Sequence, residues 1–323
     1  MVLQDQIWWK HIANDMAILE WELPRTITTS ESTVAEAARM IFAAGGKRLR
    51  PAFAFLCGRL NGCSGEKMLP LALSLELMHT ASLIHDDIID GAQLRRGVPT
   101  VNACYGNKIA VHTGNYLVAR ALSLVNSYGD LRLVEALNNI VDEMVQGEFQ
   151  QQLLAWNTKQ RLKQYLYRTQ RKTALLLAVS CETGAYAANL PDVTVSLLRR
   201  YGYYLGMAFQ ITDDILDLTG AEQTIGKPVG SDIKQGNFTL PVLYALQGPY
   251  RKELLPLLRS RKTVSAHIKE IIACIQQSDG LVRSQTLADR YIVKALQQLD
   301  TLPKNESVND LMEIARFIGQ RKY

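Results

Sequence analysis

The chain lacks the cysteine patterns that indicate a metal-binding or disulfide-bonded domain. Its five cysteines, an odd number, include no C-x-x-C pair and no His/Cys spacing typical of a zinc site. We therefore expect reduced, mostly buried thiols in a cytoplasmic protein. The N-terminal stretch MVLQDQIWWKHIANDM has an early acidic residue, no long apolar run and no small-residue cleavage site, so we expect no export signal.

No apolar run is long enough to predict a transmembrane span. The most apolar window, residues 68–84, contains Glu76 and His79 and is shorter than the ~20 residues that a span requires. A concentrated basic arm is absent too, because the 36 Lys and Arg residues are mixed with 31 Asp and Glu residues along the chain. The net charge of +5 therefore does not indicate a nucleic-acid partner.

Alternating β-branched runs are absent, and apolar residues recur at helical spacing along almost the whole chain. We predict an all-α fold in a single domain over residues 1–323. The predicted helices cover residues 5–21, 31–44, 50–60, 66–90, 108–127, 131–154, 160–188, 193–219, 238–247, 264–278, 280–299 and 306–320.

What the sequence does contain is two acidic clusters, HDDIID and TDDILD. Asp86 and Asp90 of the first cluster are four residues apart and share a helical face, and Asp213 and Asp217 repeat that spacing in the second. The like charges repel each other, and duplication at the ends of apolar helices argues against two merely solvated acidic faces. Carboxylates without a His- or Cys-rich set suit Mg²⁺, which completes its coordination with water and phosphate oxygens.

Basic residues beside these clusters point to a phosphorylated ligand. Each cation alone is more often a solvated surface group, but a position beside carboxylates or at a predicted helix start favours phosphate binding. These residues are Lys47, Arg48 and Arg50 in GGKRLRP, Arg95 and Arg96 after the first cluster, Arg171 and Lys172 before TALLLAV, and Lys227 and Lys234 after the second cluster. The expected ligand is a Mg²⁺-bound phosphate ester.

Together the motifs resemble the trans-isoprenyl diphosphate synthases over nearly the full chain. The resemblance rests on GGKRLRP, ELMHTASLIHDDIIDGAQLRRGVPT, QGE, RKTALL, and FQITDDILD followed by GKPVGSDIKQGNFTLP. Within that family the chain is most similar to the catalytic second component of the two-component heptaprenyl diphosphate synthases of Gram-positive bacteria, including the ending FIGQRKY. The resemblance implies a helical bundle around a central apolar cavity.

The resemblance also implies roles for the residues at matching positions. Isopentenyl diphosphate would be bound by Lys47, Arg50, His79 and Arg96. The allylic diphosphate would be bound by Arg95, Lys172, Thr173, Gln210, Lys227 and Lys234. Mg²⁺, as three ions with substrate bound, would be ligated by Asp86, Asp90 and Asp213, while Asp87, Asp214, Asp217 and Lys172 complete the catalytic set. Product length would be set beside Ala81 and Met78, which precede Asp86 and leave a tunnel open.

By this resemblance the chain extends farnesyl diphosphate, or a longer allylic diphosphate, with isopentenyl diphosphate to a long chain, heptaprenyl, for the menaquinone side chain. It implies a heterodimer with a small accessory subunit and a peripheral membrane contact for product release. Two positions depart from the family pattern. Asn115 replaces the usual Asp, which puts a secondary acidic contact in doubt, and Asn237 replaces the Lys of many members, which is expected to weaken one diphosphate contact.

Other interpretations stay open at this point. His79, His85 and Asp86 partly match metal phosphohydrolases, which leaves TDDILD and the basic motifs unexplained. A terpene cyclase shares the all-α fold and one acidic motif but not a second aspartate cluster. A non-catalytic synthase subunit would be free to lose the aspartates that this chain keeps. Synthases of other product lengths, from geranylgeranyl to octaprenyl, fit the same motifs.

Overall fold

Helices dominate the computed structural model, which describes residues 6–220 and 229–320. Lys227 falls outside the described residues, and so does its predicted role. The helices are α1 (Ile7–Glu22), α2 (Ser32–Ala43), α3 (Leu49–Arg59), α4 (Gly65–Asp90), α5 (Val101–Asn126), α6 (Leu131–Leu154), α7 (Leu162–Thr169), α8 (Leu175–Ala187), α9 (Asp192–Thr219), α10 (Ser231–Lys234), α11 (Leu240–Ala245), α12 (Arg251–Leu257), α13 (Arg261–Gln277), α14 (Gly280–Leu299) and α15 (Glu306–Gly319).

Four other short elements lie among the described residues. Residues Leu23–Thr26 form a 3₁₀ turn, and Gln170–Ala174 form a π-helical turn, called the π-turn below. Strands β1 (Leu94–Arg95) and β2 (Val98–Pro99) pair as an antiparallel hairpin with Leu94 opposite Pro99. The all-α prediction is confirmed, and the hairpin is too short to have shown an alternating pattern in the sequence.

Most predicted helices lie within a few residues of the observed ones, but α5 begins at Val101 rather than at residue 108. Thr100 caps its start, because the Thr100 hydroxyl accepts a hydrogen bond from the Ala103 amide at 3.3 Å. Gly106, at φ 78°, then interrupts the helix. That interruption breaks the apolar periodicity, so the sequence predicted only the part of α5 that follows it.

The chain forms two compact units, each assembled from three stretches of sequence. Unit 1 comprises Met1–Val141, Leu176–Gly202 and Gln298–Ile314. Within it α4 packs extensively against α5, and the Ser74 hydroxyl on α4 donates to the Ala121 carbonyl on α5 at 2.8 Å. Its core includes Trp8 and Phe53, both 0% exposed. Full burial of a side chain such as Phe53 stabilises a fold by about 2–3 kcal/mol.

The end of α4 determines where the first aspartate cluster stops and the hairpin begins. Gly91 ends the helix in the left-handed conformation, at φ 63°, which glycine adopts without steric cost. The Ala92 amide then donates to the Asp87 carbonyl at 2.9 Å, as in a common helix C-terminal motif. The chain reverses there, so Arg95 on β1 returns toward the last turn of α4.

Unit 2 comprises Asp142–Leu175, Tyr203–Gln297 and Ala315–Tyr323. Its apolar core includes Tyr165, Ile211 and Phe238, all at most 1% exposed. Helix α9 passes very close to the π-turn, since a Cβ atom added at Gly206 would lie 2.6 Å from the Ala174 Cα atom. Only a residue without a side chain allows this approach, which brings the next turn of α9 beside the π-turn.

Two expectations about the whole chain can be compared with the structure. Cys57 and Cys181 are buried, but Cys63 and Cys274 are partly exposed and Cys104 is exposed, so the expectation of mostly buried thiols is wrong. Cys104 lies on the solvent face of the first turns of α5, where burial is not needed. Within residues 6–220 and 229–320, no helix has the length and apolar character to span a bilayer.

Candidate active site

The first aspartate cluster occupies the last turns of α4. Asp86 is half-buried, Asp90 is exposed and Asp87 is buried at 2% exposure. Carboxylates at a helix C-terminus also face the negative end of the helix dipole, and the last turn of α4 contains no basic residue. Cations from other elements must therefore offset the repulsion.

Arg95 on β1 supplies one such cation to the inner aspartate. Its Nη2 atom donates to Asp87 Oδ1 at 2.7 Å, and its Nε atom lies 2.9 Å from Asp87 Oδ2, which is a bidentate pair. Burial lowers the pKa of Arg95, but the hydrogen bond and charge of Asp87, together with Asp86 and Asp90, outweigh burial and raise it. Asp87 thus anchors Arg95 beside the cluster.

Arg96 lies against the Gly-Gly loop of GGKRLRP, which precedes α3. Arg96 Nη1 donates to the Gly45 carbonyl. A Cβ atom added at Gly46 would lie 2.9 Å from the Arg96 guanidinium and 3.0 Å from that of Arg48. The absence of side chains in this loop therefore leaves room for two guanidinium groups, and Lys47 is exposed beside them.

Arg48 has a structural role, whereas the sequence motif grouped it with Lys47 and Arg50 as a candidate for phosphate binding. It stands just before α3 in the left-handed conformation, at φ 46°, and its side chain is buried. Its guanidinium donates to Glu20 at 2.7 Å and to Glu76 at 2.6 Å. Because both carboxylates already engage this side chain, Arg48 braces α1, α3 and α4 rather than extending into solvent.

Arg50 and His79 form an electropositive pair in the same unit. Burial lowers the pKa of Arg50 to about 10, and its buried Nε atom has no hydrogen-bond partner among the described residues. Burial also holds the pKa of His79 well below its usual value, assisted by the charges of Arg50, Arg96, Arg95 and Arg48. A neutral imidazole and an unsatisfied guanidinium donor are groups that a bound anion would satisfy.

A pocket in unit 1 collects several of these groups. Arg48, Arg95 and Arg96 line it together with Glu76, Thr80 and Asp87, and its remaining wall includes residues from α2 and the hairpin. Thr80, Glu76 and Asp87 lie on one face of α4, since they are spaced at helical intervals. On its α4 side this pocket therefore presents three polar side chains beside the apolar Leu83, and it carries three guanidinium groups.

The predicted chain-length residues lie on a different face of α4. Ala81 and Met78 are buried at 1% and 2% exposure, and neither lines the pocket described above. Ala81 shares its face with Ser74 and His85, which both contact α5. Ala81 thus faces α5, and its role in product length stays a prediction.

The π-turn of unit 2 presents Lys172 and Thr173, and the QGE motif explains how they are held. Lys172 Nζ lies 2.5 Å from Glu148 Oε2. A Cβ atom added at Gly147 would lie 3.1 Å from the Lys172 amide nitrogen, so the glycine allows α6 to approach the π-turn closely. Single π-turns within helices occur frequently at functional sites.

Gln210, Thr173 and Asp214 form one hydrogen-bonded network. The Thr173 hydroxyl donates to Gln210 Oε1 at 2.7 Å, and Gln210 Nε2 donates to Asp214 Oδ1 at 2.8 Å. The Tyr165 hydroxyl donates to Asp214 Oδ2 at 2.6 Å. Burial, with the nearby charge of Asp232, raises the pKa of Asp214 to about 7.

The other two aspartates of the second cluster differ in exposure. Asp213 is half-buried, as Asp86 is in the first cluster, whereas Asp217 is 2% exposed. Asp217 anchors the segment before α10, because its carbonyl accepts from the Gly230 amide at 2.8 Å and its Oδ2 accepts from the Asp232 amide at 3.3 Å. Asp217 therefore supports the backbone next to the cluster.

Lys234 and Asn237 lie at the end of α10 and just after it, and Asn115 lies on α5. Lys234 is the last residue of α10 and is half-buried. The Asn237 amide donates to the Asp232 carbonyl at 2.9 Å, which fixes the turn after α10. Asn115 is exposed on α5 and forms a side-chain hydrogen bond to His85, one residue before the first cluster.

The aspartates suit a metal ion that binds together with a phosphorylated ligand. In the part of the chain that the structure describes, no group of three or more His, Cys, Asp and Glu side chains converges to hold a metal ion. Mg²⁺ commonly takes one or two protein carboxylates and completes its shell with water and substrate phosphates. Asp86 and Asp90 on adjacent turns of α4 in unit 1, and Asp213 of α9 in unit 2, each offer carboxylate oxygens of the kind that this mode of binding uses.

Sequence reasoning missed two kinds of residue. Tyr165 and Glu20 lay in no motif, and Glu76 begins ELMHTASLIHDDIIDGAQLRRGVPT but received no role, because the partners of all three are distant in the chain and are brought near only by packing. Glu148 was noticed within QGE but received no role, although an acidic residue near a basic motif is a usable signal. All four bind directly to an assigned residue or to its immediate neighbour in a motif.

Comparison with known proteins places this architecture among the isoprenoid synthases. A family model described as polyprenyl synthetase matches residues 31–275. The chain is 45% identical over 312 residues to heptaprenyl diphosphate synthase component 2 of Geobacillus stearothermophilus, covering 97% of each chain. It is 41% identical over 310 residues to heptaprenyl diphosphate synthase component 2 of Bacillus subtilis (strain 168), covering 96% of this chain and 89% of that one.

A solved structure gives the same result for the fold. The polyprenyl synthase of Caulobacter crescentus CB15, complexed with calcium and isoprenyl diphosphate, matches with a TM-score of 0.92 and 33% identity over 98% of this chain and 97% of that chain. The chain belongs to the polyprenyl synthetase family. It has the all-α isoprenoid synthase fold, and the predicted resemblance to component 2 of heptaprenyl diphosphate synthases is confirmed.

Proposed function

We propose that this chain is the catalytic component of a long-chain prenyl diphosphate synthase. It extends farnesyl diphosphate, or a longer allylic diphosphate, with successive isopentenyl diphosphates to heptaprenyl diphosphate. The observation that carries the proposal is the shared pattern of the two clusters. In each, the second aspartate is 2% exposed and is held by protein donors, while the first is half-buried. The names of the two component 2 relatives support the product.

The proposed isopentenyl diphosphate site consists of Lys47, Arg50, His79 and Arg96. The unsatisfied Nε atom of Arg50 supports this assignment, because a diphosphate oxygen would accept its hydrogen bond. The depressed pKa of His79 supports it too, since the cations that disfavour a protonated imidazole attract an anion. In the ligand-free chain His79 is therefore a neutral imidazole, which presents one N–H donor.

The proposed allylic site consists of Arg95, Lys172, Thr173, Gln210 and Lys234, with Lys227 added from outside the described residues. Arg95 and Lys172 are each braced by a carboxylate, Asp87 and Glu148 respectively, which orients their donors. Charge-assisted hydrogen bonds from such groups to a diphosphate are roughly twice as strong as neutral ones.

In the proposed reaction these residues hold the two diphosphates so that the allylic carbon faces the double bond of isopentenyl diphosphate. Mg²⁺ held by Asp86, Asp90 and Asp213, as three ions with substrate bound, would neutralise the charge that develops on the leaving diphosphate. Arg95 and Lys172 share in that stabilisation as the allylic C–O bond breaks. In this proposal the apolar cavity that the family resemblance implies excludes water, and the released diphosphate accepts the proton from the new product.

The setting of the enzyme is part of the same proposal. We propose one catalytic domain over residues 1–323, a small accessory subunit as its partner in a heterodimer, and a cytoplasmic location with peripheral membrane contact for product release. The words "component 2" in the names of the relatives support the partner. We also propose that the product supplies the side chain of menaquinone.

The test is to incubate the chain with farnesyl diphosphate, labelled isopentenyl diphosphate and Mg²⁺, with and without an accessory subunit, and to separate the products by chain length. Heptaprenyl diphosphate is the expected main product. Products of another length would correct the specificity alone. Absence of condensation under both conditions would refute the proposed function.

A further inference from the structure

Tyr165 belongs to none of the substrate or metal positions, yet it ends a hydrogen-bonded chain that reaches two of them. Its hydroxyl donates to Asp214 Oδ2 at 2.6 Å, and Gln210 Nε2 donates to Asp214 Oδ1 at 2.8 Å. Gln210 Oε1 in turn accepts from the Thr173 hydroxyl at 2.7 Å. The hydrogen-bonded network therefore runs from a core residue of unit 2 to Thr173 on the π-turn.

The direction of each hydrogen bond fixes the Gln210 side chain. A glutamine amide presents an acceptor on one side and donors on the other, so it can turn over unless its neighbours choose between them. Asp214 Oδ1 accepts from the Gln210 nitrogen, which leaves the Gln210 oxygen to accept from the Thr173 hydroxyl. Because one hydrogen on Gln210 Nε2 is used for Asp214, the orientation of the amide also fixes the direction of its second N–H.

Burial fixes the position of Tyr165 within the hydrogen-bonded network. Its ring is 1% exposed within the unit 2 core, and the Arg168 guanidinium lies 5.6 Å from the ring centroid. Asp214 is 2% exposed, and a buried carboxylate needs donors on its oxygens. Without the Tyr165 hydroxyl, Asp214 keeps one of these two donors, and its orientation is no longer set from the core.

We propose that Tyr165 is a positioning residue for the allylic diphosphate, acting through Asp214 on Gln210 and Thr173. This inference rests on the proposed function, which assigns Gln210 and Thr173 to that ligand. The positioned amide offers its second N–H to a diphosphate oxygen. Loss of the Tyr165 hydroxyl weakens binding of the allylic ligand and spares isopentenyl diphosphate.

The test compares Tyr165→Phe with Tyr201→Phe. Tyr201 is a matched control, because its ring is 0% exposed and its hydroxyl donates to the Leu311 carbonyl at 2.7 Å within unit 1. The probe is farnesyl thiodiphosphate with Mg²⁺, an unreactive allylic analogue whose binding is measured by calorimetry. For Tyr165→Phe we expect about tenfold weaker binding, which corresponds to the loss of one hydrogen bond. For Tyr201→Phe we expect binding to change by less than about twofold.

A second background separates positioning from a general loss of stability. In Gln210→Ala the route from Tyr165 to the ligand is cut, so adding Tyr165→Phe should weaken binding further by less than about twofold. An equal loss in both backgrounds, or one matched by Tyr201→Phe, overturns the positioning role. If the unsubstituted chain does not bind the analogue, the proposed function fails and this inference with it. If it binds and Tyr165→Phe binds equally well, only this inference fails.

Discussion

Neighbouring aspartates in the two clusters lie in different surroundings, because successive residues of a helix point about 100° apart. Asp87 and Asp214 point inward, where removal of a carboxylate from water is costly unless hydrogen bonds compensate it. Arg95 compensates Asp87, while Tyr165 and Gln210 compensate Asp214. The inner aspartates therefore organise the protein's own donors, and Asp86 and Asp213 keep the more accessible positions.

The first prediction concerns these accessible aspartates. Asp86→Ala or Asp213→Ala should lower turnover about 10³-fold or more, because each carboxylate acts on charge that develops in the transition state. The melting temperature should change little, since both side chains are only half-buried. Asp300→Ala, an exposed carboxylate just after α14, is the control and should retain activity. Near-normal condensation by Asp86→Ala or Asp213→Ala at saturating Mg²⁺ would contradict the assignment.

The second prediction follows from the depressed pKa of His79 in the ligand-free chain. In the unfolded chain His79 has an ordinary pKa near 6.5, so below that pH it binds a proton that it does not bind in the folded chain. The stability that His79 contributes is therefore full above about pH 6.5 and is lost as the pH falls, by up to about 1.4 kcal/mol per pH unit.

Urea unfolding at pH 7.5 and pH 5.5 measures this effect. His79→Gln should lose about 1 kcal/mol less stability across that interval than the unsubstituted chain. His112→Gln, at an exposed position on α5, should keep the full pH dependence. Identical pH dependence in His79→Gln and the unsubstituted chain would show that His79 titrates normally.

At the scale of elements, the contact between α4 and α5 leaves little free space. The Ser74 hydroxyl reaches the Ala121 carbonyl, and a Cβ atom added at Gly114 would lie 2.4 Å from His85 Nε2. Ala81 lies between Ser74 and His85 on this face of α4. Its small side chain is therefore needed for close helix packing as well as for any tunnel that runs along α4.

The third prediction separates these two roles with a pair of substitutions. Ala81→Phe should shorten the products to geranylgeranyl length, or to farnesyl length from a ten-carbon primer, while the first condensation continues, because it fills tunnel volume and spares the aspartates. Ala121→Phe adds the same volume to the same helix pair at a fully buried position and should cost stability without shortening the product. The measurement is product distribution at matched conversion. Unchanged long products from active Ala81→Phe would locate the tunnel elsewhere.

The elements that the sequence predicted well are those with sustained periodicity. Residues 131–154 and 280–299 were predicted with the bounds that α6 and α14 have, whereas α10 and α12 are too short to show a helical period. The π-turn was not predictable, since it depends on close approaches at Gly147 and Gly206 that packing creates. Likewise, motifs identified the charged site residues, but nothing local pairs Tyr165 with Asp214.

For the molecule as a whole, the relatives raise the question of what the chain does alone. It covers 97% of the Geobacillus stearothermophilus component 2, a name that implies another component. The chain nevertheless contains both aspartate clusters and the basic motifs. The proposed function therefore assigns the chemistry to this chain, and it assigns to the proposed companion a part of long-chain synthesis other than supplying the reacting groups.

The fourth prediction is that the purified chain is weakly active or inactive alone and that a small companion restores long-chain synthesis. Light scattering should show a one-to-one complex, and the product assay should show long chains only for the mixture. Asp86→Ala with the companion is the decisive control. Because Asp86 is half-buried on the last turns of α4, its loss should leave complex formation intact and abolish condensation. Full-length product at undiminished rate from the chain alone would refute the need for a companion, and activity from the Asp86→Ala complex would move the catalytic site to the partner.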